Sequence, residues 1–346
     1  GDTPMEPFSF YLPTRVLFGN GVLEQGLSAI SSLGTHAFIV TGKNSTKQSG
    51  LLDRITGVLN RMDVVWTVYD AIPQNPKTAD CEQGAAAARA AGADIVLGVG
   101  GGSPLDAAKA IAVLATNGGK TADYFGEASF SMRPLPVVAV PTTCGTGSEV
   151  TRYAVIIDET TRTKKTISSD AIIPMDAIVD PDLLITLPPH LVAGAGMDAL
   201  SHAIEGFLSK KANPITHMYS RTSIRLVTES LVRATAGEKE SLTNLMLGSL
   251  CAGFVINHTG TIMVHGMGYA LTINYGIHHG TANALLLPYV LAFLSQHGYK
   301  EKIASLGETA SFTTLRSLLR ATGLPLTLAE AGVKQESLAQ LAKEAA

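Results

Sequence analysis

The residues with the clearest capacity for chemistry lie in the second half of the chain. Asp198 and His202 stand four apart in Gly196-Met-Asp-Ala-Leu-Ser-His-Ala-Ile-Glu205. On a helix that spacing puts a carboxylate and an imidazole on one face, one turn apart. His265 opens His265-Gly-Met-Gly-Tyr269, and His279 closes Tyr275-Gly-Ile-His-His279 ahead of Gly280. One carboxylate and three imidazoles suit a divalent transition metal such as Fe(II) or Zn(II). With four protein donors, reactivity requires a coordination position left open for substrate. The apolar neighbours of these residues would exclude water and strengthen the field of an ion. Spacing alone does not bring the four together, and a single helical histidine is more often a hydrogen-bonded residue than a ligand. From the residues alone, His217, His258 and His278 stay at that level.

A second chemistry is written in the first half. Gly98-Val-Gly-Gly-Gly-Ser-Pro-Leu-Asp-Ala-Ala-Lys109 follows an apolar strand pattern and opens a helical one. Glycines 100 to 102 let backbone N–H groups approach a ligand closely, and the helix start adds its positive end. A pyrophosphate is the natural guest. The spacing is not the G-x-G-x-x-G fingerprint after a first strand. That strand runs instead into Val40-Thr-Gly-Lys-Asn44. A carboxylate near this strand end would bind the adenine ribose diol. Gly42, Lys43 and Asn44 stand there, so a 2′-phosphate would be tolerated by Gly42 and attracted by Lys43. The stretch Pro141-Thr-Thr-Cys-Gly-Thr-Gly-Ser-Glu-Val-Thr151 offers a polar shelf for a ribose, phosphate or carboxamide, although such stretches are usually plain loops.

These residues need elements to carry them. Short, nearly continuous apolar runs at Ala37–Val40, Val64–Val68, Ile95–Val99 and Val137–Val140 read as strands buried on both faces. Asp80–Ala91 and Pro104–Ala115 read as helices between them, and Tyr153–Ile157 and Ala177–Val179 as further strands. Strand–helix alternation implies βαβ units and a doubly wound parallel sheet. After Asp180-Pro181-Asp182 strand patterns nearly vanish. Helices are expected at His190–Ser209, Pro214–Ala234, Ser241–Asn257, Thr261–Leu271, Ala282–Gln296 and Thr313–Thr322. The expected fold is therefore an α/β dinucleotide-binding domain over residues 1–185 and an all-α, metal-binding domain over 186–346, with ligands in the cleft between them.

The chain has 346 residues, 46% apolar and 16% charged, enough to bury two cores and to exclude disorder as the main state. Its 26 basic against 29 acidic residues, with no basic block, argue against nucleic acid as a partner. No apolar run reaches the ~18–20 residues of a membrane span, and Gly1-Asp2-Thr3-Pro4 has no signal-peptide pattern. Three scattered cysteines, Cys81, Cys144 and Cys251, point to a reducing, cytoplasmic setting rather than a disulfide framework. Phe254, Met263, Ile273 and Tyr275 would serve equally as an apolar substrate pocket or as core.

Taken together, the motifs resemble those of the iron-containing (group III) alcohol dehydrogenases. The resemblance rests on Gly100-Gly-Gly-Ser-Pro-Leu-Asp106, Pro141-Thr-Thr-Cys-Gly-Thr-Gly-Ser-Glu149, Gly196-Met-Asp-Ala-Leu-Ser-His202 and His279-Gly-Thr-Ala-Asn283, with His265 between the last two. It runs nearly the whole chain, in order. It implies Asp198, His202, His265 and His279 as metal ligands, for Fe2+ with Zn2+ as the other candidate. It implies Gly100, Gly101, Gly102 and Ser103 around the pyrophosphate. Asp106, Thr142, Thr143, Thr146 and Ser148 would lie around the cofactor's phosphates, ribose or nicotinamide. Where many members carry a proton-relaying histidine, this chain has Tyr269, as in a branch resembling butanol and 1,3-propanediol dehydrogenases. That branch has a similar Gly-Lys after its first strand and tends to use NADP, so NADP is expected over NAD. Against typical members the chain is short after Ala346, where the further segment lies near the cleft.

The activity so implied is hydride transfer between a nicotinamide cofactor and a small primary alcohol or aldehyde, with the proton leaving through ribose hydroxyls, water, Tyr269 or His278. Two relatives of the same fold are alternatives. One is a maleylacetate-type reductase without a tightly held metal, against which the four intact ligands speak. The other is a dehydroquinate-synthase-like lyase, whose basic residues for a phosphorylated substrate are not evident. A nucleotide-binding module without catalysis would not need four metal ligands. A homodimer is expected, paired through an edge strand near Val16–Phe18.

Overall fold

The structure, a computed structural model, describes residues 6–344; the start of the chain, where the signal-peptide reading falls, lies outside them. The strands are β1 Arg15–Phe18, β2 His36–Gly42, β3 Val65–Ile72, β4 Ile95–Gly100, β5 Gly126–Glu127, β6 Val137–Pro141, β7 Tyr153–Asp158, β8 Thr163–Ser168 and β9 Asp176–Val179. The first-half helices are α1 Leu23–Leu27, α2 Ser45–Gln48, α3 Leu51–Arg61, α4 Thr78–Ala91 and α5 Gly102–Asn117. Six strands form one all-parallel sheet in the order β1-β9-β6-β4-β2-β3. β4 and β6 are buried along their whole length, as strands covered on both faces must be. Leu51, Leu52, Ile55, Val58 and Leu59 of α3 cover one face with α1. The alanine-rich sides of α4 and α5 cover the other, where small side chains let the helices lie close to the sheet.

From β2 the chain steps to β3 on one side and then to β4 on the other. The C-terminal ends of β2 and β4 therefore flank the switch point where open α/β sheets bind ligands. Gly42 and Gly100 sit at those two ends.

The second half begins with α6 Pro189–Leu208, whose Pro189 suits the first turn. It continues with α7 Pro214–Thr235, α8 Lys239–Thr259, α9 Met263–Tyr275, α10 His279–Leu294, α11 Lys300–Ala304, α12 Phe312–Ala321 and α13 Leu338–Glu344. α6 is buried from Val192 to Leu208, so its polar residues are held inside a core. That core also takes in Cys144, Val150, Ala177 and Val179 from the sheet half, so the two halves pack directly on each other. No single helix among the described residues is long and apolar enough to cross a membrane.

Tyr153–Ile157 departs from the expectation of one sheet. β7 pairs antiparallel with β8, and β5 joins β8, in a separate three-stranded sheet. Its alternating burial is the pattern of a strand with one wet face. β1 does lie at an edge of the main sheet, alongside β9. Phe254 and Tyr275 pack in or against the helical core rather than facing the cleft.

Candidate active site

Two close backbone crossings bring the halves of the site together. Gly280, in the first turn of α10, meets α6 at Gly194, where a Cβ on Gly280 would stand 2.1 Å from the Gly194 carbonyl oxygen. This crossing carries His279 to the face of α6 that bears Asp198. Gly147, at φ +64°, meets α8 at Gly253, where its Cβ would be 2.5 Å from the Gly253 Cα. That contact seats the loop after β6 against the helical half.

Asp198 and His202 project from one face of α6, as their spacing requires. His265 comes from the first turn of α9 and His279 from the start of α10. The donor atoms of Asp198, His202 and His265 all lie within 4.8 Å of one another, and all three residues are buried. Asp198 Oδ1 is 3.2 Å from His265 Nε2 and 3.6 Å from His279 Nε2. His279 stands at the rim, with 22% of its side chain exposed. The rings of His202 and His265 stack at 4.3 Å between centroids.

The second ring nitrogens of His202 and His265 are engaged behind the cluster. His202 Nδ1 lies 3.1 Å from the Gly145 carbonyl oxygen, so it donates there and leaves Nε2 free. His265 Nδ1 pairs with Glu205, a residue the sequence reading did not single out. Its signal was a second carboxylate in a largely apolar helix, three residues beyond His202. His265 Nε2 is buried with no hydrogen-bond partner, as is Nδ1 of His279. His265 Nε2 faces Asp198, and a buried nitrogen without a partner costs free energy unless something fills the space in front of it. A divalent ion with a carboxylate and imidazole donor set fits that space.

The charges agree with such a set. Burial alone would hinder ionisation of Asp198, but His202, His279 and His265 outweigh it and hold the carboxyl well below its usual range. Burial pushes the His202 and His279 imidazoles down, keeping them in the neutral, ligating form. His265 is the exception: Glu205 and Asp198 outweigh burial and carry it up to about 9, so without an ion it holds a second proton that metal binding would displace.

The glycine-rich turn, the β2 end and the Thr142–Ser148 loop open on the same cleft, of about 1490 Å³. Gly42, Lys43, Asn44, Gly100, Gly101, Gly102, Ser103, Asp106, Thr142, Thr143, Thr146 and Ser148 line it, together with Asp198, His202, His265, Tyr269, His278 and His279. Gly102 opens α5 directly against Thr146, which a Cβ would approach to 2.7 Å. The start of α5 thus lines the cleft, at a helix end whose first N–H groups have no intrahelical partner. Lys43 is exposed and lines the cleft, while Asp70 of β3 is held by Lys47.

Asp106 and Ser148 also bond to each other. Ser148 Oγ donates to Asp106 Oδ1 at 2.6 Å, and the Val155 N–H donates to Oδ2 at 3.1 Å. Beneath them Lys109 is fully buried. Its Nζ donates to Ser148 Oγ at 2.9 Å, to the Thr151 carbonyl at 2.9 Å and to the Tyr153 carbonyl at 2.8 Å. Burial pushes Lys109 down to about 8 and its neighbour Glu149 up to about 7. This network pins the loop after β6 to α5. Sequence reading missed Lys109 because it sits in a helical run where lysine normally faces water.

Lys164 of β8 was missed for the opposite reason: its hairpin was not recognised. It lines the cleft with Nζ 5.1 Å from the centre of the Tyr269 ring, and burial pushes it down to about 8. Tyr269 stacks on His279 at 5.5 Å, and burial raises its phenol far from neutral pH. Burial lowers His278, whose Nδ1 is buried without a partner.

Comparison with known proteins agrees with this geometry. The profile described as "Iron-containing alcohol dehydrogenase" matches residues 13–181, and that of the "Fe-containing alcohol dehydrogenase family, C-terminal" matches 192–346. Alcohol dehydrogenase 4 of Schizosaccharomyces pombe is 37% identical over 83% of this chain and 69% of its own length. The crystal structure of a 1,3-propanediol oxidoreductase superposes with a TM-score of 0.93 at 33% identity, covering 98% of this chain and 93% of the other. Sulfoacetaldehyde reductase of Bifidobacterium kashiwanohense, solved in complex with NAD+, gives a TM-score of 0.89 at 31% identity, covering 98% and 92%. With both profiles matched in order and the two solved structures covered over more than nine-tenths of their length, this chain belongs to the iron-containing alcohol dehydrogenase family and is an oxidoreductase.

Proposed function

We propose that this chain transfers a hydride between a nicotinamide dinucleotide and a small primary alcohol or aldehyde, at a divalent metal held by Asp198, His202, His265 and His279. The observation that carries this reading is the convergence of those donors on the cleft that also receives the glycine-rich turn. When bound, an iron or zinc ion supplies Lewis acidity toward the substrate oxygen, and the dinucleotide gives or takes the hydride. Glycines 100 to 102 and the start of α5 hold the pyrophosphate, with Thr142, Thr143 and Thr146 beside it. Asp106 and Ser148, tied down by Lys109, keep the loop that bounds the cofactor in one position.

The buried helical wall keeps water from the reacting carbon. Alcohol oxidation leaves a proton to be carried away. His278 Nδ1, neutral and without a partner, is the group placed to accept it. Tyr269 keeps its proton and serves as wall and donor rather than base. Lys164, which feels both Asp106 and Asp198, favours negative charge on an oxygen in the cleft.

NADP is the preferred cofactor in this reading. Gly42 leaves room beside the ribose, Lys43 supplies charge, and the nearby carboxylate of Asp70 is engaged by Lys47. The buried thiols of Cys81, Cys144 and Cys251, unpaired, suit a reducing compartment such as the cytoplasm. β1, at the sheet edge, is the surface for a homodimer. The domain division near residue 185 falls between the end of β9 and the start of α6.

The test is bound metal by mass spectrometry on anaerobically prepared protein, alongside NADPH oxidation at 340 nm with short aldehydes. Near-stoichiometric iron or zinc with NADPH-dependent turnover is the expected result. No metal after reconstitution and no turnover would overturn it.

A further inference from the structure

Glu205 does not line the cleft, yet it is only 1% exposed and all of its acceptor capacity is aimed at one place. Its two oxygens have different partners. Oε1 accepts from the N–H of Ile262 at 3.0 Å and of Val264 at 2.8 Å. Oε2 accepts from Nδ1 of His265. α9 starts at Met263 with no side-chain cap from its own N-cap residue, Ile262. A carboxylate on α6 thus supplies the acceptor that the first N–H groups of α9 lack. The same carboxylate decides where the His265 proton sits. In the neutral ring, Nδ1–H directed at Oε2 leaves the lone pair on Nε2, the atom 3.2 Å from Asp198 Oδ1.

We infer that Glu205 is a positioning residue of the metal site: it sets the Nδ1-protonated tautomer of His265 and docks the first turn of α9, so metal affinity depends on a carboxylate behind the ligands. The inference rests on the metal-binding reading proposed above. It also makes the metal site and the start of α9 one unit, because a single side chain holds both. α9 carries Tyr269 as well, so the same carboxylate indirectly sets one wall of the cleft.

The division between the two oxygens makes Glu205→Gln a discriminating variant. The glutamine carbonyl can occupy the place of Oε1 and keep both backbone bonds. Its amide nitrogen then stands where Oε2 was and donates to Nδ1, which forces the ring proton onto Nε2, the ligating atom. The helix start survives and the ligand is lost.

The full chain, prepared metal-free, is titrated with Zn(II) against a chromophoric chelator. The parent is expected to bind one equivalent, and Glu205→Gln to bind about 10–100-fold more weakly with its metal-free melting temperature close to the parent's. Parental Zn(II) affinity in Glu205→Gln overturns the inference. Failure of the parent to bind Zn(II) would instead defeat the metal-binding reading itself. Should the variant not fold, 15N-histidine NMR of the Zn(II)-loaded parent decides. His265, identified by its through-space contact to Val264, should carry its proton on Nδ1 and bind through Nε2. The reverse pattern overturns the inference.

Discussion

Asn283 Nδ2 stands 2.8 Å from Asp198 Oδ1 and 3.1 Å from His279 Nε2, so one buried amide joins the carboxylate of α6 to the imidazole of α10. Asn283 is fully buried, and its own Oδ1 has no partner. Replacing it by Ala should weaken metal binding about tenfold or more, by freeing Asp198 to rotate. Asn283→Asp should be worse, since it places a like charge against Asp198. Chelator competition on the two variants checks the order; equal affinities would show that the amide does not orient the carboxylate.

His265→Ala and His279→Ala should each abolish metal binding and turnover while circular dichroism stays that of the parent. The His265 change should be the more destabilising in the metal-free protein. His265 is 3% exposed at its side chain and His279 22%, so only the first leaves a closed cavity. Full activity without metal in either variant would remove the metal from the mechanism.

Lys43 lines the cleft and is exposed, and the proposed function sets it beside the adenine ribose. Lys43→Ala should raise the KM for NADP far more than that for NAD. Steady-state kinetics with both cofactors give the answer, and an equal effect on the two would refute a phosphate role.

Gly280→Ala adds one methyl group 2.1 Å from a backbone oxygen of α6. Neither backbone can yield without moving a helix. The variant should lose about 1–3 kcal/mol of stability by overpacking and bind metal poorly, because His279 moves with α10. Chemical denaturation and metal titration of the same preparation test both halves of the expectation.

Lys109 and Glu149, buried beneath the loop after β6, predict a pH dependence of stability. Glu149 titrates at about 7 in the fold against 4.5 for a free side chain, so the folded state holds its proton longer. Stability from this group is therefore present below pH 4.5 and falls as pH rises toward 7. Lys109 titrates at about 8 against 10.5, so the unfolded chain binds more protons between those values and stability rises there with pH. Glu149→Gln should flatten the fall between pH 4.5 and 7 relative to the parent. Melting temperatures of the two proteins across pH 4–10 provide the measurement; parallel curves would mean that Glu149 is not protonated in the fold.

Much of this protein was legible from its residues. The continuous apolar runs of β4 and β6, bounded by turn residues, marked strands covered on both faces, because neither face carries a polar side chain. The Asp198–His202 spacing put two donors on one helical face, because 3.6 residues make a turn. The three glycines after β4 marked a close backbone approach, and all three line the cleft. These are local relationships, and local geometry follows from the chain itself.

What the chain does not write down is which distant residues meet. His265 and His279 reach Asp198 only because α9 and α10 cross α6, and that crossing depends on the absence of a Cβ at Gly280 rather than on any pattern around the histidines. Glu205 looked like one more helical carboxylate until His265 was seen bonded to it across sixty positions of chain. Lys109 reads as a surface lysine until the carbonyls of Thr151 and Tyr153 are found at its head. β7 kept the alternation of a strand, but only the pairing with β8 removed it from the main sheet and brought Lys164 to the cleft. Periodicity records which face of an element is buried, and packing alone decides what that face is buried against.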